Sequence, residues 1–195
     1  MSTNNPAKGI TVYCASSERV APHYIAEAAR LGRAIAETGM PLITGAGCMG
    51  LMGAVNDAAI MAGGETIGVI PRFMVDRGWH HRGLSRLEIT PDMHTRKEMM
   101  ARLSRAAIAL PGGFGTFEEL LEIITWRQLG LYDGNIVILN AEGYYDPLLS
   151  MFDRAVGQNF IPADHRTLYS VASTVREAVD VALRTTATPT LSPKF

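Results

Sequence analysis

Two short runs of small residues have the composition to hold a negatively charged ligand. Gly45-Ala46-Gly47-Cys48-Met49-Gly50-Leu51-Met52-Gly53 follows the apolar run at 41–44, and Pro111-Gly112-Gly113-Phe114-Gly115-Thr116 follows the one at 106–110. In each, a strand's carboxyl end meets a helix's amino end across residues with little or no side chain, so backbone N–H groups can approach an anion closely. Phosphate suits such turns. Tight strand-to-helix packing is the alternative for either turn alone, but two on one sheet edge favour a ligand. The first turn also spells G-x-G-x-x-G, yet the strand at 66–70 ends Val69-Ile70-Pro71-Arg72, without the acid that a dinucleotide's ribose requires. A nicotinamide or flavin site is therefore disfavoured, and no G-x-x-x-x-G-K-[ST] loop occurs.

The third chemical signal is a charge on an apolar stripe. At about 100° per residue, Met93, Met100, Leu103 and Ala107 share one helical face with Arg96 in its middle, while Thr95, Glu98, Arg102 and Arg105 lie opposite. An arginine pointing inward needs an anionic partner, because an unpaired buried charge costs several kcal/mol. Glu119 is the expected internal partner. It also has a local role open to it, since Thr116-Phe117-Glu118-Glu119 spells a capping box for a helix over 116–129. Two readings of Arg96 stand: a structural ion pair, or an anchor for an anionic ligand where the glycine turns converge.

The elements that must position these residues are legible as alternation. Apolar runs at 10–14, 41–44, 66–70, 87–90, 106–110 and 136–140 read as buried strands. Between most of them lie stretches of helical period, such as 22–38 with Ile25, Ala28, Leu31 and Ile35 on one face, and 49–62 with Leu51, Val55, Ala58 and Met61 or Ala62. Continuous apolar strands joined by helices imply a mainly parallel sheet covered on both faces, a three-layer α/β/α sandwich. A final strand within 168–173 and a helix over 174–184, opened by Thr174 and Glu177 in capping-box register, close one sheet edge. The segment 71–86 lacks clear period and has the length of a lid or binding loop. One domain over 10–184 is expected, with flexible ends at 1–9 and 185–195.

Composition narrows the function classes. The 195 residues carry 18 basic against 19 acidic side chains, a net charge of −1, which offers no surplus for nonspecific nucleic-acid binding. With 47% hydrophobic residues the chain can build a core. No run approaches the length of a membrane span or a signal peptide's apolar core, and Cys14 and Cys48 form no metal-ligand pattern with the five histidines. Reduced thiols and a cytoplasmic location are expected. The helix at 116–129 places Phe117, Leu120, Leu121 and Ile124 on one side and Ile123 and Trp126 on the other, with Leu129 near Trp126. A second apolar side asks for a second partner, and a two-fold dimer is the expected one.

The Gly50-Leu51-Met52-Gly53 turn, Met93-His94-Thr95-Arg96-Lys97, the run from Pro111 through Glu119 and Thr125-Trp126-Arg127-Gln128-Leu129-Gly130 together resemble the Lonely Guy (LOG) family of cytokinin riboside 5′-monophosphate phosphoribohydrolases. The resemblance spans about 10–161 and includes a complete PGGxGTxxE signature ending at Glu119. It implies a Rossmann-like fold, a homodimer or larger assembly, and hydrolysis of an adenine nucleotide's N-glycosidic bond without a metal or organic cofactor. Carried onto this chain, the catalytic pair is Arg96 and Glu119. Met93, Lys97, Gly112, Gly113, Phe114, Gly115, Thr116, Phe117, Glu118 and Thr125 surround the nucleotide, with Gly45, Gly47 and Gly50 at the first turn. Ala46 stands where the family usually has glycine, and Gly78 where its lid commonly offers a glutamate, leaving Trp79, His80 and His81 as substitutes for the lid's contacts. Arg105 replaces an aspartate. Rival functions are a nucleotide or molybdenum-cofactor carrier of the same fold, and a pyridoxal-phosphate decarboxylase using Lys97, the only lysine between Lys8 and Lys194.

Overall fold

Seven strands pair side by side, the inner five too hydrophobic to face water on either side and the two edge strands partly exposed. In the computed structural model, which describes residues 8–185, they are β1 (Gly9–Tyr13), β2 (Leu42–Thr44), β3 (Thr66–Pro71), β4 (Arg86–Thr90), β5 (Ser104–Ala109), β6 (Asn135–Leu139) and β7 (Ser170–Ala172). The expected flexible ends lie outside the described residues apart from Lys8, Gly9 and Thr185.

Every pairing is parallel, and the order is β4-β3-β2-β1-β5-β6-β7. The chain starts in the middle, builds outward to β4, crosses back to lay β5 against β1, and builds outward again to β7 at the far edge. Crossovers therefore diverge between β1 and β5. That is the switch point at which open α/β sheets leave a crevice beyond their strands' carboxyl ends.

Side-chain alternation divides the core into two sheets of packing. Ile10, Val12, Val137 and Leu139 face α1 (Pro22–Glu37), α2 (Gly50–Met61) and α7 (Val175–Leu183). Tyr13, Ile136 and Ile138 face the opposite way, toward α4 (Met93–Leu103), α5 (Phe114–Gln128) and α6 (Asp146–Gly157). The result is the three-layer, Rossmann-like sandwich. A short helix, α3 (Arg72–Asp76), interrupts the segment expected to be irregular from 71 to 86.

Several local expectations shift. The buried stripe of α2 runs through Leu51, Val55 and Ala59, while Met61 projects into solvent and Ala58 is half-buried. Helix α4 stops at Leu103, so Ala107 belongs to β5 and reaches the same core from a strand. Helix α5 begins at Phe114, two residues before the expected cap, and its N-cap is Gly113 with no side-chain bond. Thr116 and Glu119 thus lie inside the helix and form no capping box. The buried side of α5 carries Thr116, Glu119, Leu120, Ile123 and Arg127, and Phe117, Ile124 and Trp126 pack against the same core, so Ile123 and Trp126 find their partner within this chain while Leu121 and Leu129 turn outward. A buried acid and a buried arginine lie beside Ile123. At α7 Thr174 does cap the Glu177 N–H at 3.2 Å, whereas the Glu177 carboxylate accepts from Ser173 one residue earlier than the box requires.

Helices α1 and α2 meet at backbone distance. A Cβ built on Gly32 would lie 2.1 Å from the Val55 carbonyl oxygen, so the two helices touch only because residue 32 has no side chain. Gly32→Ala is expected to cost about 1–3 kcal/mol through overpacking, read as a clear drop in thermal midpoint, and an unchanged midpoint would show that the helices part without strain.

Candidate active site

Four loops reach the switch point, and they are tied to one another before any ligand enters. The Ala15 N–H donates to the Pro111 carbonyl, and the Met52 N–H donates to the Ala15 carbonyl, which links the loops after β1, β2 and β5. Buried Asn56 donates to the Gly47 carbonyl and accepts from the Thr44 hydroxyl, whose oxygen in turn takes the Ala46 N–H. Tyr145 and Tyr144 donate to the Leu110 and Gly112 carbonyls on the approach to the second glycine turn. Both turns are therefore held from behind, with backbone acceptors already engaged.

Glycine is needed in the first turn for a specific reason at each place. A Cβ on Gly45 would lie 1.9 Å from the Arg96 guanidinium, so the arginine is packed flat against bare backbone. Gly50 has φ +59 and faces the Ser16 and Ser17 backbone. Ala46 itself has φ +63, in the left-handed region where a Cβ costs roughly 1–2 kcal/mol. Glycine would be free of this cost, and this chain carries the strain of the Ala46 methyl group.

Arg96 is reached from α4 and Glu119 from α5, with side chains 7% and 8% exposed and a 3.0 Å contact between them. The Arg96 Nε–H also donates to the Val69 carbonyl at 3.0 Å, which fixes the guanidinium plane. Burial pushes the Glu119 carboxyl above the ordinary glutamate range, and the Arg96 charge recovers only part of that shift. The expected partner is confirmed. Its protonation balance, however, is set first by desolvation and only then by Arg96.

The pair forms part of the wall of a cavity of about 520 Å³. Gly45, Gly47, Met93, Gly113, Gly115 and Thr116 line it with Arg96 and Glu119, as the sequence suggested. Helices α2 and α5 both begin without a side-chain cap, so their first-turn N–H groups have no intrahelical acceptor. Ser16, Ser17, Met49, Met52, Ile70 and Met74 also line the cavity and were not singled out. For the serines a signal existed, since Ser16-Ser17 follows the first strand and every parallel strand's carboxyl end faces this crevice. Cys14 lines the floor, but burial and then the Glu119 charge push its thiol far above the ordinary range, so it remains a neutral thiol.

Other expected contacts are elsewhere. Gly50, Phe114, Phe117, Glu118 and Thr125 do not line this cavity, and Gly112 lines an adjoining hollow with Tyr24 and Tyr144. Phe114 is 93% exposed at the start of α5, and the Thr125 hydroxyl donates to the Leu121 carbonyl. Lys97 does not line the cavity; its ammonium bonds Glu118 and, at 3.0 Å, Glu122. Burial works against that charge, but the two carboxylates outweigh it and hold the lysine above its ordinary range. A permanently charged, carboxylate-clamped amine outside the cavity does not fit a pyridoxal-phosphate Schiff base, which needs a free one.

A parallel α/β sheet whose switch-point cleft joins two uncapped helix starts to a buried arginine–glutamate pair defines a Rossmann-like protein built for an anionic ligand. The comparisons are specific. A family model described as possible lysine decarboxylase matches residues 52–182. The cytokinin riboside 5′-monophosphate phosphoribohydrolase LOG of Oryza sativa subsp. japonica is 44% identical over 170 residues, covering 87% of this chain and 70% of the relative. A cytokinin riboside 5′-monophosphate phosphoribohydrolase of Arabidopsis thaliana is 43% identical over 170 residues, covering 87% and 79%. Among solved structures, the molybdenum cofactor carrier protein of Chlamydomonas reinhardtii has a TM-score of 0.68 at 23% identity, over 90% of this chain and 95% of that one. The molybdenum cofactor binding protein of Rippkaea orientalis has a TM-score of 0.67 at 22% identity, over 89% and 94%. At those identities the likeness is one of fold. The chain belongs to the LOG family of phosphoribohydrolases.

The contact between Gly45 and Arg96 can be tested directly. Gly45→Ala is expected to lose about 1–3 kcal/mol of stability by displacing the guanidinium from its seat. Gly113→Ala, where a Cβ meets nothing within 4 Å, is the control. Equal denaturation midpoints for the two variants would contradict the packing described.

Proposed function

We propose that this protein hydrolyses the N-glycosidic bond of cytokinin riboside 5′-monophosphates, and of AMP, releasing free base and ribose 5-phosphate. The observation that carries the reading is the buried Arg96–Glu119 pair in a cleft flanked by two glycine turns. Membership of the phosphoribohydrolase family supplies the reaction class.

Bond cleavage draws positive charge onto the ribose, so the transition state resembles an oxocarbenium ion and gains from a nearby carboxylate. Glu119 supplies that charge. Water adds at the anomeric carbon as the bond to the purine nitrogen breaks; Glu119 orients the water and takes its proton, the departing base takes a proton from solvent, and Glu119 returns its own to solvent afterwards. Arg96 anchors the nucleotide and neutralises Glu119 between turnovers. The 5′-phosphate sits against Gly45 and Gly47 and against the first-turn N–H groups of α5 near Gly113, Gly115 and Thr116, where helix dipole and free donors favour an anion. Binding energy from the phosphate is available to orient the reacting ribose, which is why a monophosphate reacts in preference to a nucleoside. Glu118 acts at one remove, by holding Lys97 and with it the spacing of α4 and α5.

Glu119→Gln keeps the shape and removes the charge. Turnover of AMP and isopentenyl-AMP, followed by chromatography of the released base, is expected to fall at least about 100-fold. Because burial raises the Glu119 carboxyl, the acidic limb of the wild-type rate profile is expected above pH ~4.3, the ordinary glutamate value. Near-normal turnover in the variant would leave Glu119 a structural residue only.

The same reading includes a homodimer working in the cytoplasm, with Cys14 and Cys48 as free thiols. Support for the dimer comes from Leu121, Leu129 and Leu131, which expose 42%, 55% and 71% of their surface along α5 and just beyond it. The double variant Leu129→Glu, Leu131→Glu is expected to shift light scattering from dimer to monomer, and a monomeric wild type would overturn the assembly.

A further inference from the structure

The lid is tethered on one side and aromatic on the other. From 77 to 83 the chain folds over the first glycine turn: the His81 N–H donates to the Ala46 carbonyl at 2.7 Å, and His80 forms an antiparallel bridge with Gly47. The His81 Nε2 is 2.9 Å from an Asp57 carboxylate oxygen on α2, and its Nδ1 accepts the Gly83 N–H. Gly78, at φ +72, lets the chain turn sharply just before Trp79. These bonds leave the loop no need of a ligand to become ordered.

What the tether holds out is an indole. Trp79 is 45% exposed although it lines the cavity, so part of the ring's surface is free. The Arg77 guanidinium carbon lies 5.0 Å from its ring centroid, and Arg77 does not line the cavity. It therefore braces the ring from outside. The glycines, Ser16 and Ser17 line the cavity together with Met49, Met52, Met74 and Ile70, so Trp79 shares it with four flexible or apolar side chains. Thioethers pack well against aromatic edges and adapt to irregular apolar shapes.

We propose that Trp79 is the stacking platform for the purine base, with the methionines as the adaptable wall around it. This rests on the phosphoribohydrolase reading for the identity of the ligand and adds the residue that selects its base. An aromatic side chain recognises a base by its π-face, so the contact favours purines over smaller leaving groups and makes no demand on hydrogen-bonding pattern. The lid of this chain thus recognises the base by stacking.

The test compares Trp79→Ala and Trp79→Phe with wild type, using AMP as nucleotide and ribose 5-phosphate as the ligand without a base. Trp79→Ala is expected to raise KM for AMP roughly 10-fold with little change in kcat, and Trp79→Phe to restore most of the loss. Inhibition by ribose 5-phosphate is expected to be the same in all three. Binding is followed separately by tryptophan emission, which AMP should quench in wild type and not in Trp79→Phe, where Trp126 remains as an internal reference. An unchanged KM in Trp79→Ala, or an equal loss of ribose 5-phosphate affinity, would overturn the stacking role. Quenching by AMP in wild type without any release of adenine would instead uphold stacking and refute the phosphoribohydrolase reading.

Discussion

Two opposite charges buried between α4 and α5 set the terms for the rest of the molecule. Removing one partner of such a pair typically costs about 3–5 kcal/mol, a large part of the roughly 5–15 kcal/mol that holds a domain folded. Replacing both with apolar side chains is often neutral or better. Stability alone therefore gives no reason to keep Arg96 and Glu119 buried, and the cleft they border does. Their neighbours are arranged to meet the cost: the Val69 carbonyl takes one guanidinium donor, and Gly45 gives the guanidinium a bare surface to lie on.

The doubly wound topology explains why these groups can meet although they are far apart in the chain. Because β5 lies against β1, the loops that follow β1, β2 and β5 converge on a single crevice. Hydrogen bonds from Ala15 and Met52 tie those loops together. Each helix start is thereby aimed at the same volume, and no side chain has been spent on capping either one. An anion entering the crevice meets donors whose orientation has already been settled by folding.

Much of this was legible in the sequence. The alternation of apolar runs and helical stripes gave the parallel sandwich, and the position of Arg96 on an apolar face gave its pairing with Glu119. Where the reading failed, the cause was an interaction that hydrophobic period cannot register. The start of α5 was placed too late because Thr116 and Glu119 spell a cap, whereas Gly113 lets the helix begin earlier and the acid is drawn to Arg96 instead. The second apolar side of α5 was read as needing a second partner, whereas Ile123 and Trp126 pack into this chain's own core beside the buried acid and Arg127, which donates to the Leu168 carbonyl. Lys97 was assigned to the ligand from resemblance, and nothing in its local sequence marks the two carboxylates, four residues apart on another helix, that hold it. Ser16 and Ser17 were overlooked because they lack a motif, although the sheet's polarity alone delivers them to the cleft.

The lysine clamp has a practical side. Among the described residues the side-chain amines are Lys8 and Lys97, and Lys97 is 9% exposed between its carboxylates. Lys8 is 44% exposed, immediately before β1, at the sheet edge opposite the cleft. Amine-directed coupling to a bead or sensor surface would, within this part of the chain, take hold at the amino ends of the strands. A molecule held through Lys8 would stand with its cleft turned toward the solution, open to small molecules arriving from the bulk.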